Sequence, residues 1–306
     1  MNIIRMTGGL GNQMFQYALY LKLLSMGKEV KFDDYSEYQL ENARPIMLWC
    51  FDIDYPKASR EEINEITDGF MNLKDRVRRK LFGRKTLEYR EADCNFDPEV
   101  LAKDRAYLTG YFQSESYFKD IRDQVRKAFT FQPVIFEKLS EEEKREVLSY
   151  RKMIDDSLSV SLHVRRGDYL VSREIYGGNC TDHYYKSAIN LMREKYPSAV
   201  FFVFSNDEVW VRRWLSENFP KSTNFVPVSG RTEDTGYLDM YLMSRCKSHI
   251  LANSSFSWWG AYLAENRDKT VIAPARWFNN QNCRDIYTPD MIRISSEGEL
   301  IKNGTE

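Results

Sequence analysis

Through the second half of the chain, short apolar runs alternate with longer amphipathic ones. Runs at 158–164, 199–205, 223–228, 248–252 and 270–274 are dominated by Val, Ile, Phe, Leu and Ala, the pattern of strands buried on both faces. Between them, 183–195, 207–219, 234–246 and a stretch through Trp258 and Trp259 carry apolar residues at helical spacing. Strict alternation of the two predicts βαβ units and a parallel, doubly wound sheet. The first half opens the same way, with a strand at 2–6, a glycine turn at 7–14 and an amphipathic run to Met26 closed by Gly27. A strand at 106–112 and a helix at 114–129 complete a first α/β layer. Residues 137–156 are charged, helical and poor in apolar positions, so composition sets a boundary near 150–156 and two α/β domains, 1–152 and 153–306.

Candidate chemistry gathers where the strands end. The run to Val164 breaks off into Arg165, Arg166, Gly167 and Asp168. In an open α/β sheet the crevice beyond the carboxyl ends of the strands holds the ligand. Two arginines there favour an anion, because a guanidinium makes paired bonds to phosphate or carboxylate oxygens, and Gly167 lets backbone approach. The competing reading is a surface turn with solvated arginines, Asp168 pairing with Arg166. Ser205-Asn206-Asp207 and Asn253-Ser254-Ser255 follow two other strands and read as helix caps that double as phosphate sites. Three such ends in one half of the chain favour a nucleotide site over caps alone. Trp258, Trp259 and Trp277 read as packing residues.

Two further patterns compete with that picture. Gly9 and Gly11 match the first two glycines of a dinucleotide-binding turn, with Asp33 and Asp34 ending the next strand. Met14 stands in the third glycine's place, where close helix–strand packing requires glycine, which argues against an NAD-dependent oxidoreductase. Asp52 and Asp54 have the spacing of a metal-holding carboxylate pair, a pattern common by chance. A metal-dependent transferase and a non-catalytic sugar-binding protein therefore remain as alternatives.

Charge and cysteine use narrow the partners. With 306 residues and a formal net charge of −1, the chain lacks the basic surface that nucleic acid demands. Residues 74–85 nevertheless hold seven basic side chains, read as a solvated helix face in preference to a membrane-surface or phosphate-binding one. Five separated cysteines without a CxxC pair read as reduced thiols. No apolar run reaches membrane-spanning length and Met1 leads straight into a strand, so a cytoplasmic protein is expected, peripheral contact with the inner membrane being left open.

Four segments together carry a resemblance. Gly8-Gly-Leu-Gly-Asn-Gln-Met-Phe-Gln-Tyr17, His163-Val-Arg-Arg-Gly-Asp-Tyr169, Phe204-Ser-Asn-Asp207 and Ala252-Asn-Ser-Ser-Phe-Ser-Trp-Trp-Gly260 resemble the α-1,2-fucosyltransferases of glycosyltransferase family 11, in order and across nearly the whole chain. The resemblance implies a GT-B-like fold, two Rossmann-like domains facing across a cleft. It also implies GDP-β-L-fucose as donor substrate, transfer with inversion to the 2-hydroxyl of a galactose-terminated oligosaccharide, free or lipid-linked, and neither metal nor cofactor. Bacterial surface-glycan synthesis is the expected setting. By the same resemblance Arg165 binds the β-phosphate, Asp239 and His163 meet guanine, Ser255 and Phe256 present backbone donors to the diphosphate, and Gly11 and Asn12 line the cleft. Arg166, Ser205, Asn206, Asn253 and Ser254 join the donor set from their strand ends. The general base is sought in Asp168, which belongs to the motif, or Glu174 in the glycine-bearing loop beyond it. Residues 35–103 align with nothing, so acceptor choice is not read.

Overall fold

In the computed structural model, which describes residues 1–40, 43–166, 173–228, 231–232 and 234–301, the first apolar run becomes β1 (Asn2–Arg5). The amphipathic run behind it becomes α1 (Leu10–Ser25), buried on most sides, with Met14 fully enclosed. Gly27, at φ +76°, ends it by letting the Gly27 and Lys28 amides donate to the Leu24 and Leu23 carbonyls at 2.9 and 3.1 Å. There follow β2 (Val30–Asp33), α2 (Arg60–Thr67), α3 (Leu73–Phe82), β3 (Glu88–Arg90), α4 (Pro98–Ala102), β4 (Ala106–Thr109) and α5 (Arg122–Ala128). Their four strands pair in parallel in the order β2-β1-β4-β3.

The second sheet is larger. After α6 (Glu141–Asp155) come β5 (Ser159–Val164), α7 (Arg173–Tyr176), α8 (Asp182–Lys195), β6 (Val200–Ser205), α9 (Glu208–Asn218), β7 (Phe225–Val228), α10 (Tyr237–Arg245), β8 (Ser248–Ile250), α11 (Ser255–Leu263), β9 (Val271–Pro274), β10 (Met291–Ile294) and β11 (Leu300–Ile301). The order is β11-β10-β9-β8-β5-β6-β7, parallel except for β11. β5 is buried at every position. Its Val160, Leu162 and Val164 join a core with Tyr184, Ala188 and Ile189 of α8. Trp258, Trp259 and Trp277 are buried, as packing residues should be.

The expected α/β class with parallel sheets is therefore what the chain adopts, in two compact units. Unit 1 is Met1–Thr130 with Arg284–Ile286, and unit 2 is Phe131–Cys283 with Tyr287–Glu306. The division falls between Thr130 and Phe131, ahead of the boundary that composition gave at 152/153. The charged stretch misled because it needs few apolar positions: α6 buries Val147 and Ile154, and Tyr237 of α10 donates its hydroxyl to the Ile135 carbonyl at 2.9 Å. The strand expected to reach 112 stops at Thr109, and Phe112 takes a left-handed φ of 53° that strands do not tolerate. Cysteine spacing misled too. Cys94 and Cys283 are disulfide-bonded while Cys50, Cys180 and Cys246 are free, which removes the thiol argument for a reducing compartment. Among the described residues no helix is long and apolar enough to cross a membrane.

Close approach of α10 and α11 depends on one glycine. A Cβ on Gly260 would lie 2.8 Å from the Met243 Cβ, so the helices would have to separate. Gly260→Ala is expected to cost about 1–3 kcal/mol, read as a lower urea midpoint at unchanged slope. An unchanged midpoint would show that the contact can relax.

Candidate active site

Strand order in unit 2 reverses at β5: β6 and β7 follow on one side, β8, β9 and β10 on the other. Such a reversal leaves a crevice beyond the carboxyl ends of the diverging strands, where open α/β sheets hold their ligands. Here those strands are β5 and β8, with Leu162 opposite Ile250. β5 runs out into Arg165 and Arg166, and β8 runs through Leu251 and Ala252 into Asn253, Ser254 and α11. The segments 163–166 and 253–256 thus share one sheet edge, with Ser205, Asn206 and Asp207 at the end of neighbouring β6.

α11 begins in a way that suits an anion. Its N-cap Ser254 has extended backbone and makes no side-chain cap, and no acid stands in the first turn. Helix N-termini of this kind concentrate N–H groups and the positive end of the dipole. Phe256 in that turn sets its ring 5.9 Å from the imidazole of His163, on the side of β5 facing away from α8. His163 is buried and its carbonyl accepts the Tyr185 hydroxyl at 3.1 Å. Asn253 works as a strut: buried, it donates its amide to the Tyr176 and Trp277 carbonyls at 3.2 and 2.9 Å and accepts the Cys180 thiol at 3.5 Å. The turn between β8 and α11 is thereby fixed to two neighbouring segments.

The β6 end forms a second network. The Arg166 amide donates to Asn206 Oδ1 at 3.0 Å, its Nε lies 3.4 Å from Asp207 Oδ2, and its guanidinium rests over the Trp210 ring, 4.1 Å from the centroid. Asp207 also caps α9 through Trp210 N at 3.1 Å, and its own amide donates to Ser205 Oγ at 3.0 Å. Arg166, Ser205, Asn206 and Asp207 therefore hold one another, which orients the backbone that carries Arg165. Glu174 is exposed on α7. Asp168, like Gly167, lies outside the described residues.

Asp239, in the first turn of α10, lies apart from those segments in sequence and meets a buried arginine that sequence reading did not single out. Arg231 Nε is 3.7 Å from Asp239 Oδ1, and Arg231 Nη1 is 3.4 Å from Glu146 Oε2. Burial pushes the Asp239 carboxyl up to about 7, with Arg231 pulling it back and Glu146 adding to the rise. Only spatial neighbourhood identifies Arg231, because 85 positions of chain separate it from Glu146.

Unit 1 repeats the topology on a smaller scale. β1 lies between β2 and β4, so the glycine turn after β1 and the segment after β4 share an edge. Gly8 holds φ +76°, and a Cβ there would meet Asn12 Nδ2 at 2.4 Å. Gly11 is buried in the first turn of α1, a helix that again starts without a side-chain cap or an acid. Asn12 Oδ1 accepts the Gln113 amide at 2.8 Å. Gln13 and Gln16, buried and not singled out in the sequence, brace the turn. Gln13 donates to the Gly8 and Pro45 carbonyls, both at 2.9 Å, and Gln16 donates to Gly110 O at 2.9 Å. Two glutamines three apart on a buried helix were the available signal. Glu91, beyond β3, accepts the Tyr111 and Phe112 amides at 2.7 and 3.0 Å, and burial pushes it up to about 7 against those two bonds.

The rival motifs are spent locally. Asp33 accepts the Tyr107 hydroxyl and the Tyr35 and Ser36 amides at 2.6, 3.0 and 2.9 Å, and Asp34 pairs with Lys57 at 2.8 Å. Asp52 ends a 3-10 turn in left-handed backbone, and Asp54 accepts the Tyr55 amide at 2.9 Å.

Comparison with known proteins identifies the family. The family model of glycosyl transferase family 11 matches residues 1–295. An alpha-1,2-colitosyltransferase of Escherichia coli is 32% identical over 284 residues, covering 91% of this chain and 93% of that protein. The O-antigen biosynthesis glycosyltransferase WbnK of Escherichia coli is 30% identical, covering 90% and 95%. The galactoside alpha-(1,2)-fucosyltransferase 2 of Rattus norvegicus is 29% identical, covering 85% of this chain and 66% of its own length. Among solved structures, POFUT1 in complex with GDP-fucose is similar at 10% identity and a TM-score of 0.48, covering 88% of this chain and 96% of that one. With residues 1–295 of its 306 matched by the family model, this chain belongs to glycosyltransferase family 11.

Proposed function

We propose that this glycosyltransferase moves L-fucose from GDP-β-L-fucose to the 2-hydroxyl of a terminal galactose with inversion, in the assembly of a bacterial surface glycan. The observation that carries the reading is the β5–β8 edge, where Arg165 leaves one strand and an uncapped, acid-free helix start leaves the next. Departure of GDP builds negative charge on its β-phosphate, and a fixed guanidinium with helix N–H groups stabilises that charge as it develops. Arg165 takes the β-phosphate, Ser255 and Phe256 give backbone donors, and His163 and Asp239 meet the guanine. Arg166, Asn206 and Asn253 position these groups. No metal is assigned, because Arg165 and α11 supply the positive field that a divalent ion would otherwise provide. The proton of the acceptor hydroxyl goes to a carboxylate across the sugar from Arg165, assigned to Asp168 on its place in the motif, with Glu174 the other acid in reach by sequence.

A second donor has a specific observation in its favour. The relative at 32% identity is named a colitosyltransferase, and colitose is fucose without its 3-hydroxyl. Turnover of GDP-fucose and GDP-colitose on lactose, each with and without EDTA, separates the two and tests the metal assignment. We expect GDP-fucose to be used and EDTA to leave the rate unchanged. Arg165→Ala is expected to lose on the order of 100- to 1,000-fold in rate while remaining folded, and Arg165→Lys to recover little. Exclusive use of GDP-colitose would overturn the donor, and full activity of the alanine variant would overturn the phosphate role.

Asp239 makes donor binding pH-dependent with a definite sign. To accept the guanine N1–H and amino hydrogens it must be ionised, whereas in the free protein burial holds its carboxyl up to about 7. GDP affinity should therefore fall as pH drops through 7, by about tenfold per unit once the carboxyl is protonated, and level off above it. Calorimetric titration of GDP between pH 5.5 and 8.5 reads this directly, pH limits being set about 1.5 units either side of that value. Asp239→Asn should bind weakly at every pH and without the slope, and a wild-type affinity independent of pH would remove Asp239 from the guanine site.

A further inference from the structure

α3 is amphipathic the wrong way round. It starts where Asn72 accepts the Asp75 amide at 2.8 Å and stops at Gly83, φ +75°. Its polar side faces the protein: Arg79 donates to the Asp68 and Phe70 carbonyls at 2.9 and 2.6 Å, Arg78 pairs with the Asp68 carboxylate, and that carboxylate also accepts the Lys85 amide at 2.9 Å. Its apolar side faces outward. Leu73, Val77 and Leu81, four residues apart, are 77%, 48% and 69% exposed, and no residue of the helix is buried. A surface helix ordinarily turns that stripe to the core.

Charge borders the stripe. At about 100° per residue the three apolar side chains cover an arc of roughly 80°, with Lys74 next to it on one side and Lys80 and Arg76 on the other. Among the described residues no acid pairs with these three cations. From 71 to 85 there are seven Lys and Arg against the single Asp75, a net of +6, in a chain whose total is −1. Met71 and Phe82, at the two ends, are 76% and 74% exposed.

We propose that α3 is a docking element that lies on an anionic lipid surface, Leu73, Val77 and Leu81 entering the acyl boundary while Lys74, Arg76 and Lys80 meet the headgroups. An anionic bilayer satisfies both faces of the pattern at once. A second copy of the chain would bring a surface of +6 against itself, and nucleic acid offers nothing to cover the apolar stripe. This inference is independent of the donor assignment, since α3 carries none of the donor-binding residues. Its consequence for function is that the enzyme works at a membrane surface, where a lipid-linked acceptor would be presented.

The test is flotation of the full chain with vesicles of phosphatidylcholine, alone or with about one-third phosphatidylglycerol. Wild-type protein should float with the anionic vesicles, stay behind with the neutral ones, and be released by salt. The apolar triple variant Leu73→Ser, Val77→Ser, Leu81→Ser and the charge triple variant Lys74→Gln, Arg76→Gln, Lys80→Gln should each lose binding on the order of 100-fold, about fivefold per cation removed in the second case. Because all six side chains are exposed, melting temperature and turnover on soluble lactose should stay at wild-type values. Wild-type protein that fails to float with anionic vesicles, or either variant floating as wild type does, overturns the proposal. A wild-type dimer by sedimentation that the apolar variant converts to monomer, with vesicle binding unchanged, assigns the stripe to a second copy and overturns it as well.

Discussion

Ser161 and His249 stand opposite each other on β5 and β8, and their side chains share a buried hydrogen bond of 2.8 Å, Ser161 Oγ to His249 Nδ1. That bond constrains everything beyond it. A one-residue slip of β8 against β5 would turn the imidazole to the other face of the sheet and leave it buried without this partner. Burial also pulls His249 down to about 3, so the ring stays neutral through any physiological pH and the contact does not titrate away. With the register held, the distance along the edge from Arg165 to the start of α11 is set by covalent geometry. Asn253 and the Arg166–Asp207 pair then fix the two turns that leave the strands.

Asp239 and Glu91 carry the opposite kind of electrostatics. Each is a carboxyl raised to about 7 by burial, so the folded chain keeps a proton where the unfolded chain has lost it. Stability from these groups is present below the ordinary carboxylate range and declines as pH rises towards 7. Groups that cost stability in their working, ionised form are expected where a ligand compensates for them. For Asp239 the ligand proposed above, guanine, would compensate in this way. Glu91 has two backbone amides instead, and it holds the turn in which Phe112 adopts its left-handed backbone.

Much of this was legible in the sequence because it rests on periodicity. The strands of unit 2 announce themselves as apolar runs, and their polar ends at Arg165, Ser205 and Asn253 follow the carboxyl ends of β5, β6 and β8, which are neighbours in the sheet. Strand order was not legible, since alternation alone does not say on which side of β5 each strand is laid, and it is the reversal at β5 that marks the β5–β8 edge as the candidate site. Arg231 and Glu146 were invisible because their meeting with Asp239 is purely tertiary. Strand β3 is three residues long and mostly exposed, too short for any periodic signal. The division between units was misplaced because α6 reaches the core with two side chains, and composition averages over that. The orientation of α3 was likewise beyond the sequence. Its amphipathic pattern is readable, but only the contacts of Arg78 and Arg79 with Asp68 reveal that the apolar side is turned outward.

The central claim is that the β5–β8 edge of unit 2 receives the nucleoside diphosphate. Amide hydrogen exchange with and without GDP tests it most directly, because backbone N–H groups of α11 are the asserted donors. GDP should slow exchange at 163–166 and at 255–257 above all other segments of unit 2. Unchanged exchange at 255–257 under saturating GDP, with protection confined to the glycine turn at 8–13, would contradict the account and move the donor to unit 1.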